Sequence, residues 1–483
     1  MNSKKAQNLK QPKVFYLACF TSVCERFGFY VLSFLLVLYM KNVYNLTDTM
    51  AFALFAVFTA LVYVTPAIGG YLADNIFGIR RSIIFGLLLE GVGLNLLAFP
   101  GKFFFVLGLA FIIIGVGFFK TGPTNLMART YKENDPRIDS GFTLFYMSIN
   151  IGSFLAPVAA GFVRLYYGWH AAFFTAALVL YFGLIGYFVL RGFAKHHDSP
   201  PGEKNISLKV WVGIFAGTII AILVSVSLLT HIQIANVFFF VIAILIGLYF
   251  MFEIARSPKE EKLKILACLF LIITGMVFFI LYFQLYESMT LFIERSVVHS
   301  IFGIPIPMTV FLGFNAFWII ALSPILAWLY EHLGKSGKDL AVTTKFPLGI
   351  LITSLCFFVL VFGTYFTNVD MRISGGWILF SMFFYSLGEL LISALGVAMV
   401  TRIVPKRMYG VMMGAWYLIA CALASAVSGR VADLASVPEG VTDPAAILHI
   451  YSSAFLKMGI AGVVAAIVVF IVSPYIKKIA ELD

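Results

Sequence analysis

Residues 14–40 read VFYLACFTSVCERFGFYVLSFLLVLYM, an apolar run interrupted by charge only at Glu25 and Arg26. About 20 such residues suffice to cross a bilayer as a helix. A charge at bilayer depth costs roughly 2.5 to 3.5 kcal/mol on insertion scales, so a chain that keeps an adjacent carboxylate and guanidinium there is using them for transport or coupling. Lys4, Lys5, Lys10 and Lys13 precede the run and give it the look of a secretory leader. It is too long for one, lacks a small-residue cleavage site and carries the charged pair, so it reads as a retained first span.

Outward from this run the same texture continues. Hydrophobic residues make up 61% of the 483 and charged residues only 12%, a balance that leaves too little polar surface for a water-soluble fold. The chain reads as an all-α polytopic membrane protein. Fourteen apolar spans are expected, near residues 14–40, 51–74, 82–99, 103–127, 141–165, 170–192, 208–230, 234–254, 264–292, 307–330, 346–366, 375–400, 411–433 and 447–474. The cysteines, Cys19, Cys24, Cys268, Cys356 and Cys421, stand singly in apolar segments and read as small buried hydrophobes, not as a metal or disulfide set.

Basic residues alternate with the spans. Arg80 and Arg81, Arg129 and Lys132, Lys195 and Lys204, Lys259 and Lys262, Lys335 and Lys338, Arg402, Lys406 and Arg407, and Lys477 and Lys478 share a side with the lysine-rich N-terminus. The opposite loops hold few, among them Lys41, Lys102, Arg295 and Arg372. By the positive-inside rule both termini are cytoplasmic. The net charge of +11 then reflects topology and attraction to anionic lipid, and nucleic-acid binding is not expected.

An internal repeat gives the architecture. Residues 69–81, GGYLADNIFGIRR, and residues 326–338, LAWLYEHLGKSGK, each place a small-residue helix end, an acid, a glycine turn and a basic pair after the second span of a half. The first copy resembles the loop signature of the major facilitator superfamily, and the second is degenerate. The expected fold is the major facilitator fold: two six-helix bundles, 1–192 and 261–483, joined by a linker at 193–260 that carries a two-helix insert. The interiors of the inserted spans are uncharged and suit a lipid-facing structural role.

Further motifs name a family. Residues 24–30, CERFGFY, match most of the first-helix signature of the proton-dependent oligopeptide transporter family, and residues 145–153, FYMSINIGS, match its fifth-helix signature. Gly388-Glu389-Leu390 with Ser393, Val400-Thr401-Arg402 and residues 412–417, MMGAWY, follow its pattern. The stretch 315–345, with Ser323-Pro324 and residues 334–340, is most similar to the enterobacterial di- and tripeptide permeases. The resemblance covers nearly the whole chain and implies a proton-coupled symporter of di- and tripeptides in a bacterial inner membrane.

Independently of the family, the intramembrane polar residues outline a substrate. Arg26 and Lys120 are cations of the N-terminal half, and Glu389 is a lone carboxylate of the C-terminal half. Opposite charges on the two halves suit a zwitterion held by both ends. Tyr30, Tyr63, Trp318 and Trp416, with amides at Asn150, Gln284 and Asn315, suit a lining that bonds peptide amides and accepts varied side chains. The resemblance implies substrate-binding roles for Arg26, Lys120, Asn150, Asn315 and Glu389, and Ser393 belongs to the same pattern.

Proton coupling is where the chain departs from its family. The first-helix motif normally begins with a second glutamate three residues before Glu25, and here that residue is Ser22. Ser22, Glu25 and Arg26 share a helix face, with Lys120 as an expected neighbour. One carboxylate beside two cations is held ionised and exchanges a proton poorly. Before Gln284 stands Phe283, where many relatives carry an acid, and Glu287, one helical step on, is placed to pair with Arg26 when the outer gate closes. Glu90, alone among apolar residues of the third span, has two readings: a proton carrier standing in for the missing acid, or a neutral acid bonded to a neighbouring helix backbone.

None of the seven histidines has metal-ligand spacing, and His196-His197 lies in a polar linker. Gly115-Val116-Gly117 lacks the strand–loop–helix context of a nucleotide fingerprint and reads as a close helix contact. With no nucleotide-binding loop and no nucleophile–base pair, the chain is expected to be no enzyme, to need no cofactor beyond the proton gradient, and to work as a monomer by alternating access. A second reading is transport of another small zwitterionic or anionic solute on the same scaffold, with weakened or absent coupling because of Ser22.

Overall fold

The computed structural model describes residues 10–131, 135, 137–335 and 342–480. Lys4, Lys5, Lys132, residues 336–340 and the side chains of Lys335, Thr401, Arg402 and Lys406 lie outside the described set.

The fourteen expected spans map onto helices in order. The first three are α1 (Lys13–Asn42), α2 (Asp48–Leu72) and α3 (Ile79–Leu97). The fourth is α4 (Lys102–Phe119), which breaks at Lys120 and Thr121 before α5 (Gly122–Ala128), where Pro123 sits in the first turn that tolerates it. The fifth and sixth run together as α6 (Ile138–Leu190), whose 53 residues are too many for one crossing. Gly168, with φ 84° and ψ 179°, divides it, a backbone state that only glycine adopts at no steric cost. The inserted pair is α7 (Leu208–Thr230) and α8 (Ile232–Arg256).

The ninth span is split into α9 (Lys259–Phe283) and α10 (Ser288–Ser296), followed by α11 (Met308–Lys335), α12 (Val342–Gly363) and α13 (Gly375–Ile403). The thirteenth is α14 (Tyr409–Ala415), a π-helical stretch Trp416–Leu423 and α15 (Ala424–Ala432), and the last is α16 (Pro444–Ala480). Among the described residues, twelve helical segments are long and apolar enough to cross a membrane; α6 counts once among them, and α3, which carries Arg80, Arg81 and Glu90, is not included. A two-residue hairpin not foreseen from the sequence, Ser300–Ile301 against Ile304–Pro305, turns through Phe302 and Gly303 at positive φ between α10 and α11.

The contacts divide the chain into two compact units. One comprises the chain through Leu32 together with Val64–Thr230; the other comprises Ser33–Tyr63 together with His231 onward. The unit boundaries therefore fall inside α1 and α2, and α7 and α8 belong to different units.

Each unit contains a helix pair brought close by glycine. In the first, a Cβ on Gly86 would approach the Gly115 carbonyl to 2.8 Å and one on Gly93 the Gly108 carbonyl to 2.7 Å, so α3 and α4 meet backbone to backbone along two helical turns. In the second, a Cβ on Gly388 would come within 2.7 Å of the Gly349 carbonyl, and α12 and α13 meet in the same way. A glutamate belongs to each seam: Glu90 lies between Gly86 and Gly93, and Glu389 follows Gly388. The inserted helices bury little. α8 hides only Ala235, Phe239 and Phe250 while Val237, Phe240, Leu245 and Leu248 stay exposed, a surface suited to lipid.

Candidate functional site

In the first unit, α1 brings its charged pair to a dry interior. Glu25 is fully buried, and its two carboxylate oxygens accept hydrogen bonds from Nε and Nη2 of Arg26, a bidentate fork that fixes the guanidinium plane. The guanidinium lies 4.9 Å from the Phe29 ring centroid and 6.0 Å from that of Tyr30. Gly152, from the fifth-span motif, permits this packing: a Cβ there would meet the Val23 carbonyl at 2.7 Å and the Arg26 Cβ at 3.2 Å. Asn150 is buried two residues earlier, with its amide donating to the Tyr146 carbonyl of its own helix.

Glu90 joins this cluster. It is 1% exposed and interacts electrostatically with Glu25 and Arg26. Neither Glu90 oxygen has a hydrogen-bond partner among the described residues. Lys120 is half-buried at the break between α4 and α5. Ser22 is buried on the face of Glu25 and Arg26, as its spacing predicts.

The second unit buries its acids differently. Glu389 on α13 accepts a 2.8 Å hydrogen bond from the Asn315 amide of α11, which also donates to Ser386 at 3.1 Å, while the Ser386 hydroxyl donates back to the Asn315 carbonyl at 3.0 Å. Ser393 lies one turn beyond Glu389 and is partly buried. Trp318 is partly exposed, but its indole N–H is committed to the Leu379 carbonyl at 2.9 Å and its ring packs on Phe317 and Phe383. Trp416 is 2% exposed and packs against Phe279 and Phe346, its ring over Gly275 and Gly396.

Between α9 and α10 the chain turns at Gln284–Glu287. Glu287 is fully buried and accepts from the Ser428 hydroxyl at 2.8 Å and the Gln284 amide at 3.2 Å. The Gln284 carbonyl accepts from Ser288 at 2.7 Å. Tyr63 stands with its ring centroid 5.9 Å from Phe283. Ser428 and Ser386 were not singled out from the sequence, because nothing in the local pattern separates a serine that holds an acid from one that bonds its own helix.

A second feature also escaped the sequence reading. Asp48, buried at the start of α2, accepts two hydrogen bonds from Arg295 at 2.6 and 2.9 Å, pairs with Lys41 at 2.8 Å and accepts from the Val437 amide at 3.0 Å. Arg295 in turn donates to the Tyr451 hydroxyl at 2.9 Å. Lys41 and Arg295 were read only as the sparse cations of their side; the lone acid beside them was the available signal. In the loop 69–81, Asp74 lies 3.7 Å from Arg129, and Arg81 donates to the carbonyls of Phe77, Pro201 and Lys204.

Residues 80–448 match the sequence profile of the POT family. The chain belongs to the POT family. This member is 36% identical over 481 residues to the dipeptide and tripeptide permease A of Chromobacterium violaceum, covering 99% of this chain and 96% of that protein. It is 35% identical to the dipeptide and tripeptide permease B of Salmonella typhimurium, covering 97% and 96%. Among solved structures it superposes on tetrameric PepTSo2 with a TM-score of 0.87 at 29% identity, over 97% of this chain and 99% of that one. It also superposes, at 0.86 and 29%, on a bacterial homologue of the human drug peptide transporters PepT1 and PepT2. The POT member is thus a multi-pass membrane transporter with the major facilitator fold, as its spans and loop repeat predict.

Proposed function

We propose that this protein imports di- and tripeptides across a bacterial inner membrane together with protons, by alternating access. The observation that carries the reading is the buried carboxylate of Glu389, which accepts from the neutral Asn315 amide and so keeps its charge for a ligand amine. A short peptide has one anionic and one cationic end whatever its side chains. Arg26 and Lys120 take the carboxylate and Glu389, held by Asn315, takes the amine. Tyr30, Tyr63, Asn150, Gln284, Ser393, Trp318 and Trp416 contribute to lining and amide recognition. The names of the full-length relatives support peptides as the cargo.

Transport proceeds by relative motion of the halves 1–192 and 261–483, with the linker 193–260 as a lipid-facing spacer and both termini cytoplasmic. Glu25, Arg26 and Lys120 carry the coupling, and Glu287 exchanges its neutral partners for a cation during gating. The proton gradient is the energy source, and a monomer suffices.

Purified protein in vesicles tests this with labelled dialanine. An acid-outside gradient should drive accumulation above the external level. Exchange of peptide without accumulation would favour the uncoupled reading that Ser22 keeps open, and binding without flux would refute transport.

A further inference from the structure

Lys457 is a cation inside the last apolar span, exposed on α16, and no acid among the described residues forms an ion pair with it. The acids of the loop leading into α16 are turned to other partners or exposed: Asp433 accepts from Thr49 and Ser436, Asp443 accepts from the Ala446 amide at 3.1 Å, and Glu439 is exposed. A charge kept in a span is costly and points to something that it binds. Lys457 lines a cavity of about 270 Å³ between α9, α15 and α16, and it is the only polar side chain among the described lining residues. Ile280 and Leu281 of α9 form one wall and Val431 of α15 another, while Leu434, just past the end of α15, carries the cavity to where the chain leaves the span. At the other end a Cβ on Gly462 would meet Leu281 Cδ1 at 3.0 Å, so α16 closes on α9 there. Tyr451, on the same helix, meets Arg295 of the charged Asp48 clamp. Lys457 lies six residues beyond it, about 9 Å along the helix, within the reach of a lysine stem that lifts its ammonium toward the membrane surface.

We propose that this cavity is a site for an anionic phospholipid: one acyl chain enters between α9, α15 and α16, and the Lys457 ammonium holds the phosphate. The volume takes roughly nine methylene-sized units at the ~30 Å³ of a water, which is the inner part of a single chain. The ammonium brings three donors and the lining side chains offer it no acceptor, so the partner must carry its own oxygens and a negative charge. A net-anionic headgroup meets that need better than a zwitterionic one, whose own ammonium competes with the lysine. The chain also packs behind the Glu287 cluster. The Ile280 carbonyl accepts from the Gln284 amide at 3.2 Å, and Val431 lies one turn beyond Ser428, so the lipid braces the helices that carry both donors of Glu287. The whole site belongs to the second unit and holds whatever the cargo.

Native mass spectrometry of the full-length protein, delipidated in detergent and titrated with dioleoyl phosphatidylglycerol or dioleoyl phosphatidylcholine, tests it without any transport readout. The wild type should bind the phosphatidylglycerol roughly tenfold more tightly, the worth of one charge-assisted contact. Lys457→Met keeps an unbranched apolar stem and should bind the two lipids equally. Ala461→Phe, at an exposed position of α16 on the cavity lining, should fill the space and weaken both. In melting scans phosphatidylglycerol should raise the transition of the wild type more than that of Lys457→Met. A wild type with no preference between the lipids, a preference unchanged in Lys457→Met, or wild-type binding by Ala461→Phe overturns the proposal. Equal protection by inorganic phosphate would assign Lys457 a free ion and overturn the acyl-chain site. A lipid-free dimer that Ala461→Phe abolishes would assign the cavity to a second copy of the chain and overturn it as well. Each of these failures leaves the peptide-transport reading standing.

Discussion

The two glycine-lined helix pairs, α3 with α4 and α12 with α13, hold buried glutamates in opposite ways. Glu90 sits among full charges, with another carboxyl and a guanidinium as its neighbours. Glu389 sits among neutral dipoles, accepting from the Asn315 amide with Ser386 behind it. Glu287 follows the second pattern, with Ser428 and Gln284 as donors. Charge-assisted forks are strong but rigid, and removing one partner strands the other. Neutral donors satisfy an acid without neutralising it, so its charge stays available to a ligand cation. The first unit thus holds its acids among charges, and the second holds its acids with neutral dipoles.

The sharpest way to break this contrast is Arg26→Ala. It strands two buried acids at once, so uptake should vanish, and a destabilisation of about 3 to 5 kcal/mol is expected from removing one partner of a buried pair. A fluorescence melting scan in detergent together with vesicle uptake checks both; uptake at the wild-type level would show that the fork is not part of the machinery. The second unit should respond more selectively. Glu389→Gln keeps a polar group opposite Asn315 but removes the charge, and a charge-assisted hydrogen bond is worth about 1.5 to 3 kcal/mol. Peptides with a free amine should therefore lose roughly tenfold to a hundredfold in competition assays, with little loss for amine-blocked analogues. Equal losses for both ligands would remove Glu389 from the amine site.

Much of this arrangement is legible in the sequence, for physical reasons that also explain what is not. A span is long and compositionally extreme, so all fourteen could be placed, and a charge inside one is conspicuous, which exposes Glu25, Arg26, Glu90 and Glu389. The break at Gly168 could be placed because two spans in one helix exceed bilayer thickness. What escapes is whatever depends on helix rotation. Trp416 reads as an aromatic lining residue, and its ring packs over Gly275 and Gly396, a rotation that no local pattern encodes. Trp318 reads the same way, and its N–H is spent on the Leu379 carbonyl. The clamp on Asp48 joins residues 41, 48, 295, 437 and 451, separations that no local pattern encodes.

The smallest expected effect sharpens the comparison most finely. Glu287 has two neutral donors, so removing one should leave the acid partly satisfied, unlike the loss of Arg26. Ser428→Ala deletes the 2.8 Å bond while Gln284 remains at 3.2 Å. The Ser428 hydroxyl also lies 2.8 Å from the Ser425 carbonyl of its own helix, so its single proton is divided between that carbonyl and Glu287. A net loss of about 1 kcal/mol follows for one hydrogen bond, against several for a stranded charge. The melting temperature should fall by only about a degree with dialanine uptake retained. A drop as large as that of Arg26→Ala would mean that Glu287 depends on Ser428 as Glu25 depends on Arg26, and the distinction between the two ways of burying an acid would fail.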